Sequence, residues 1–107
     1  HRDLHSFPTR RSSDLRLQEE LLINPKVGSV MRETGGVRKM RFAFEDRGKS
    51  GSVRVIYIDF EVYEKIFLLT AYPKSEKDNL SKAERNEFRQ IVEILEYQLE
   101  DQARKGS

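Results

Sequence analysis

The sequence predicts an α+β domain: a small antiparallel β-sheet of three to four strands, with an N-terminal helix remnant before it and a C-terminal amphipathic helix after it. Three observations predict this. Apolar residues recur with a period of two in three runs between Val37 and Tyr72. The links between those runs, Gly48-Lys49-Ser50-Gly51 and Asp59 to Tyr63, are too short for crossovers, so consecutive strands are antiparallel. After Leu80 the period lengthens, and Phe88, Ile91, Val92, Leu95 and Leu99 form one helical stripe.

Residues 1–15 differ from the rest: they lack periodicity and are rich in Ser and Arg. His1-Arg2-Asp3-Leu4 matches the opening of a kinase catalytic loop, but the chain is far too short for a kinase and has no other kinase motif. His5 to Leu15 looks like the conceptual translation of a sequencing-adapter oligonucleotide, the alternative being a disordered basic tail. Both readings set a non-native or disordered leader, residues 1–15, apart from a domain over residues 16–107. Leu17, Leu21 and Leu22 then fit one helical face, and Asn24-Pro25-Lys26-Val27-Gly28 ends that helix.

Ser29 to Thr34 is an edge strand or extended loop, and Gly35-Gly36 is a turn, where glycine accepts positive φ. The three strands are expected over about 37–45, 52–60 and 64–72. In the first, Val37, Lys39, Arg41 and Ala43 share one face, and Arg38, Met40, Phe42 and Phe44 the other. In the second, Val53, Val55 and Tyr57 oppose Ile56, Ile58 and Phe60, the two-sided apolar pattern of a central strand. Ser81 and Glu84 make a capping box for a helix from Lys82 to about Ala103.

The chain has 107 residues, enough for one small domain, with 36% hydrophobic and 36% charged residues. The net charge of +2 is unremarkable, but its distribution is not. Six cations (38, 39, 41, 47, 49 and 54) lie between Val37 and Arg54 against Glu45 and Asp46, the local footprint of a phosphate-binding surface. The absence of cysteine excludes disulfides, thiolate catalysis and Cys metal sites, and both histidines fall in the leader. Histidine bases and histidine metal sites are therefore excluded from the domain. No apolar run approaches a membrane span, so a cytoplasmic location is expected.

Two weaker motifs are set aside. Glu45-Asp46 are adjacent and would point to opposite faces of a strand. Gly48-Lys49-Ser50 ends like a P-loop but lacks the upstream glycine and a following helix. The remaining cluster is Arg38, Lys39, Arg41, Lys49, Arg54 and Lys74, with Tyr57 and Tyr72. Such a set suffices to cleave RNA without metal, cofactor or histidine, if the 2′-hydroxyl is held in line with the scissile phosphate. Cations stabilise the phosphorane, arginine clamps phosphate oxygens, and aromatic rings stack unpaired bases. Charged strand residues also serve solubility alone, which the residue types do not exclude.

Gly35-Gly36-Val37-Arg38-Lys39-Met40-Arg41, Gly48 to Gly51, Val53-Arg54-Val55-Ile56-Tyr57 and Leu68 to Lys74 together resemble the RelE/HigB branch of the RelE/ParE toxin superfamily, over about Leu17 to Leu95. The resemblance implies the toxin of a type II toxin–antitoxin system, a metal-independent, ribosome-dependent endoribonuclease (mRNA interferase) that cuts mRNA in the A site. It implies a cognate antitoxin, of helix-turn-helix type in the HigB-like case, and a fold that lacks its first strand and first helical part here. Lys39, Arg54 and Lys74 take the family's catalytic cation positions, and Arg38, Arg41, Lys49, Tyr57 and Tyr72 are RNA-binding candidates. Where the family carries a catalytic Tyr, this chain has Leu80, with Tyr72 as a possible substitute. Position 37 is apolar where the family has a further lysine. Two other readings stay open: a ParE-like toxin acting on DNA gyrase, and an inactive fragment that only binds antitoxin or RNA.

Overall fold

In a computed structural model of the chain, describing residues 3–5, 12–43, 52–73, 75 and 79–106, the expected alternation builds an α+β fold around a five-stranded sheet. The elements are β1 (Asp3–His5), α1 (Ser12–Ile23), β2 (Ser29–Val30), β3 (Arg38–Ala43), β4 (Ser52–Phe60), a 3-10 turn (Glu61–Tyr63), β5 (Lys65–Pro73) and α2 (Lys82–Lys105). The sheet order is β1-β5-β4-β3-β2, with β4 central as its two-sided apolar pattern requires. The three consecutive strands β3, β4 and β5 pair antiparallel.

The strand count exceeds the expected three to four by one: the edge expected within Ser29 to Thr34 forms as β2, and β1 adds a fifth strand. β2 pairs Ser29 with Lys39 and Val30 with Arg38. β1 lies in the segment expected to stand outside the fold, yet it runs parallel to β5 from Asp3↔Lys65 to His5↔Phe67. An edge of three residues is too short to display a period, so the sequence carries no strand signal for β1. α1 begins at Ser12, so its first residues lie in the segment 1–15 set apart as a leader. The expected Gly48–Gly51 hairpin lies outside the described residues.

The sheet separates two cores. On one face, Leu17 and Leu21 of α1 pack with Met40, Phe42, Val53, Val55, Tyr57, Ile66 and Leu68. Leu22, expected on the same helical face, is substantially exposed. Arg16 fastens α1 to β3, its guanidinium 4.9 Å from the Phe42 ring centroid and donating to the Ala43 carbonyl. On the other face, Val92 and Leu99 of α2 pack with Val37, Ile56, Ile58 and Phe60. Ile91, read as part of the apolar stripe, is turned outward at 40% exposure. The capping box forms as expected: the Glu84 N–H donates to Ser81 Oγ at 3.1 Å, and the Ser81 N–H to Glu84 Oε1 at 2.9 Å.

Between the helix α1 and the sheet, one phenol ties the chain together. Tyr57 is fully buried; its hydroxyl accepts from the Gly28 N–H at 2.8 Å and donates to the Pro25 carbonyl at 2.8 Å. Arg38 completes the clasp, its Nη1 donating to the Gly28 carbonyl at 2.6 Å and to the Lys26 carbonyl at 3.3 Å. Glycine is required at position 28 because a Cβ there would lie 2.7 Å from the Lys39 carbonyl and 2.9 Å from the Tyr57 hydroxyl. A second tie closes the turn into β3. The buried Thr34 hydroxyl donates to the Met31 carbonyl at 2.8 Å and accepts from the Val37 N–H at 3.1 Å. Within that turn Gly35 and Gly36 adopt φ of +80° and +110°, as expected, and Gly35 lies under Val92.

Burial pushes the Tyr57 phenol above its ordinary range, while the Gly28 N–H and the Arg38 charge pull the other way. A raised phenol pKa means that the folded state holds the proton longer than the unfolded chain. This contribution is complete below about pH 10, the unfolded tyrosine value, and is lost as pH rises through the folded value. Tyr57→Phe should cost about 1–3 kcal/mol in denaturant unfolding at neutral pH, because two backbone groups lose their partner. It should also flatten the fall in stability above about pH 10 relative to the parent chain.

Candidate functional site

Cross-strand register decides which of the candidate residues meet. Arg41 pairs with Arg54 and Arg54 with Tyr72, one row across β3, β4 and β5. Lys39 pairs with Ile56 and Ile56 with Thr70, the next row on the same face. Directly opposed residues stand about 4.5–5.5 Å apart at Cβ, so Lys39, Arg41 and Arg54 form one cationic cluster. It lies on the α2 side of the sheet, as the shared face of Val37, Lys39, Arg41 and Ala43 anticipates. The buried α2 residues join the core of Val37, Ile58 and Phe60, while Arg41 and Ala43 at the other end of β3 stay exposed.

Burial grades this cluster. Arg41 is exposed, and Lys39 and Arg54 are half-buried, with the Arg54 Nε itself shielded from solvent. An arginine directly opposite another arginine adds nothing to sheet pairing, since like charges face to face are unfavourable. The opposition makes sense where a dianionic or polyanionic group sits over both, because each guanidinium offers a planar fork of donors to phosphate oxygens.

The other candidates divide. Arg38 points to the α1 face and is spent on the Gly28 and Lys26 carbonyls, so it holds backbone rather than joining the cluster. Tyr57 is also on that face, and with no exposed ring it offers nothing for a base to stack on. Tyr72 is in the cationic row but only 6% exposed, packed in the same core as Leu80, so its ring too lacks an open face. The stacking expected of both tyrosines therefore has no surface in this structure. Lys49 and Lys74 lie outside the described residues. Among the described residues no group of three or more His, Asp or Glu side chains is placed to hold a metal ion. No described helix is long and apolar enough to cross a membrane.

One residue of the face escaped the sequence reading. Thr70 enters the Lys39 row because the β4–β5 register shifts: Tyr57 pairs with Leu68, but Ile56 pairs with Thr70. Leu69 is thus an extra residue, a β-bulge, and every later side chain of β5 changes face. Strict alternation from Phe67 would put Tyr72 on the α1 side. A run of Ile-Phe-Leu-Leu-Thr-Ala-Tyr shows no signal for where such a bulge falls.

The geometry agrees with what the chain is similar to. The family model for the RelE toxin of the RelE/RelB toxin–antitoxin system matches residues 24–105. The match opens at Asn24, the first residue of the turn that Tyr57 and Arg38 clasp, and closes at the last residue of α2. It therefore spans the clasp, the cationic rows, the bulge and the capped helix, and extends past Leu95, where the resemblance read from the sequence stopped. The chain belongs to the RelE toxin family, the toxin half of a toxin–antitoxin pair whose partner is an antitoxin protein.

Proposed function

We propose that this toxin is a ribosome-dependent endoribonuclease of HigB-like type that cuts mRNA in the A site by in-line attack of the 2′-hydroxyl on the adjacent phosphate. The observation that carries this reading is the Arg41–Arg54 opposition beside Lys39 on one sheet face. Cleavage places growing negative charge on the phosphorane, and fixed cations aimed at it lower the barrier most in a partly desolvated site. Half-buried Arg54 suits the clamp on the scissile phosphate. Exposed Arg41 suits a neighbouring backbone phosphate, and Lys39 the stabilisation of the leaving or attacking oxygen. Lys74 and Lys49 join on sequence grounds alone. The antitoxin then silences the toxin by covering this face or wrapping the helices, in the cytoplasm where ribosomes are met.

A reporter mRNA in a cell-free translation reaction, with 5′ ends mapped, tests the reading. The chain should create new ends only when ribosomes are present, and Arg54→Ala should reduce them by roughly 10²-fold or more without unfolding the protein. No new ends from a chain shown to be folded, or equal cutting by Arg54→Ala, would overturn it. Inhibition of gyrase supercoiling by the same preparation would then favour the ParE-like alternative.

Arg41 yields a second expectation. Arg41→Gln should leave thermal stability equal or higher at low salt, with the difference shrinking as salt screens the pair, while RNA cleavage weakens. A fall in stability that persists at high salt would show that Arg41 supports the fold instead.

A further inference from the structure

We infer that Tyr72 is a positioning residue for Arg54, delivered to it by the β5 bulge, and this rests on the proposed cleavage reading only for its catalytic consequence. Three observations converge. Tyr72 is the direct cross-strand partner of Arg54, on the side opposite Arg41. Its ring is 6% exposed and fixed in the core with Leu80 and Val92, so it is a rigid wall and not a mobile base-stacking platform. The Arg54 Nε is shielded from solvent although the residue as a whole is half-buried, so the inner part of the guanidinium is enclosed.

The bulge gives this pairing its cost and its purpose. An unbroken β4–β5 ladder would put Ala71 on the α2 face beside Arg54, and Tyr72 in the α1 core. The extra residue Leu69 interrupts that ladder and sends Tyr72 to the cationic face, with Ala71 filling the α1 side instead. A large flat side chain beside an arginine restricts its rotamers, and a guanidinium aimed at a developing phosphorane works only if it is aimed before the reaction. The ring, more than the hydroxyl, performs this task, because the confinement is steric.

The test uses Tyr72→Leu and Tyr72→Phe, each with and without Arg54→Ala, and two readouts. The first is the Arg54 Nε–H signal in a 1H–15N spectrum, identified by its absence in Arg54→Ala. Its exchange with water should be slow in the parent and in Tyr72→Phe, and faster by roughly tenfold or more in Tyr72→Leu, with α2 amides unmoved. The second is ribosome-dependent cleavage. There Tyr72→Leu should lower kcat by up to roughly 10²-fold with KM little changed, and should add nothing to Arg54→Ala. Tyr72→Met replaces the leucine variant if that one does not fold.

An Arg54 signal unchanged in folded Tyr72→Leu would overturn the inference, and so would a cleavage loss that adds fully to that of Arg54→Ala. A parent chain that cuts no RNA while Tyr72→Leu still frees the Arg54 signal would remove the interferase reading and leave the positioning role standing.

Discussion

The fold depends on one buried hydroxyl. Tyr57 stands on the central strand, and its oxygen both accepts from Gly28 and donates to Pro25, so the turn that ends α1 is tied to the middle of the sheet. A buried phenol of this kind must be satisfied on both counts, since an unmet polar group in a core costs about 1–3 kcal/mol, more than a made hydrogen bond contributes net. The tie also has geometric reach. Gly28 passes so close to the Lys39 carbonyl that only a residue without Cβ fits, and Arg38 grips the same turn from the neighbouring strand. Two of the basic residues in the sequence cluster thereby acquire different tasks: Arg38 holds the backbone on one face, which fixes Lys39 on the other.

Faces of the sheet are the second organising fact. β4 is apolar on both sides and separates an α1 core from an α2 core, and α2 leaves one end of its face uncovered. The cations gather at that end. A sheet built for stability alone would not set Arg41 opposite Arg54, and the bulge that carries Tyr72 to the same row interrupts an otherwise regular ladder. Both departures from the locally favourable arrangement shape one row, the like-charge pair by lying in it and the bulge by sending Tyr72 to it, which is where a binding surface for phosphate would concentrate them.

Much of this was legible in the sequence, and the reasons are physical. A period of two tells which residues share a face whatever the partner strand, so Lys39 and Arg41 could be assigned together, and the two-sided run at 52–60 announced the central strand. The capping box and the 3.6-residue stripe located α2 to within two residues of its end. Register is a different matter, because it depends on where β5 gains a residue, and a run of apolar and small side chains says nothing about that. Nor does the sequence tell that Tyr57 and Tyr72 are buried. An aromatic residue in a basic segment reads equally well as a stacking platform or as core, and only the surrounding packing distinguishes them. Of the two short edges, β2 falls within the Ser29 to Thr34 segment read as an edge strand or loop, while β1, three residues in a stretch without periodicity, carries no pattern.

On the proposed function, nucleic acid meets the α2 side of the sheet at the Lys39, Arg41 and Arg54 cluster. Titration of the 15N-labelled chain with a short single-stranded oligoribonucleotide, followed by 1H–15N spectra, tests it most directly. Shifts centred on Lys39, Arg41, Arg54 and Thr70, with the amides of Leu17, Leu21 and Tyr57 unmoved, are the expected result. Shifts centred on the Lys26 and Arg38 clasp, or on Arg104 and Lys105 at the end of α2, would place the ligand elsewhere and contradict the account.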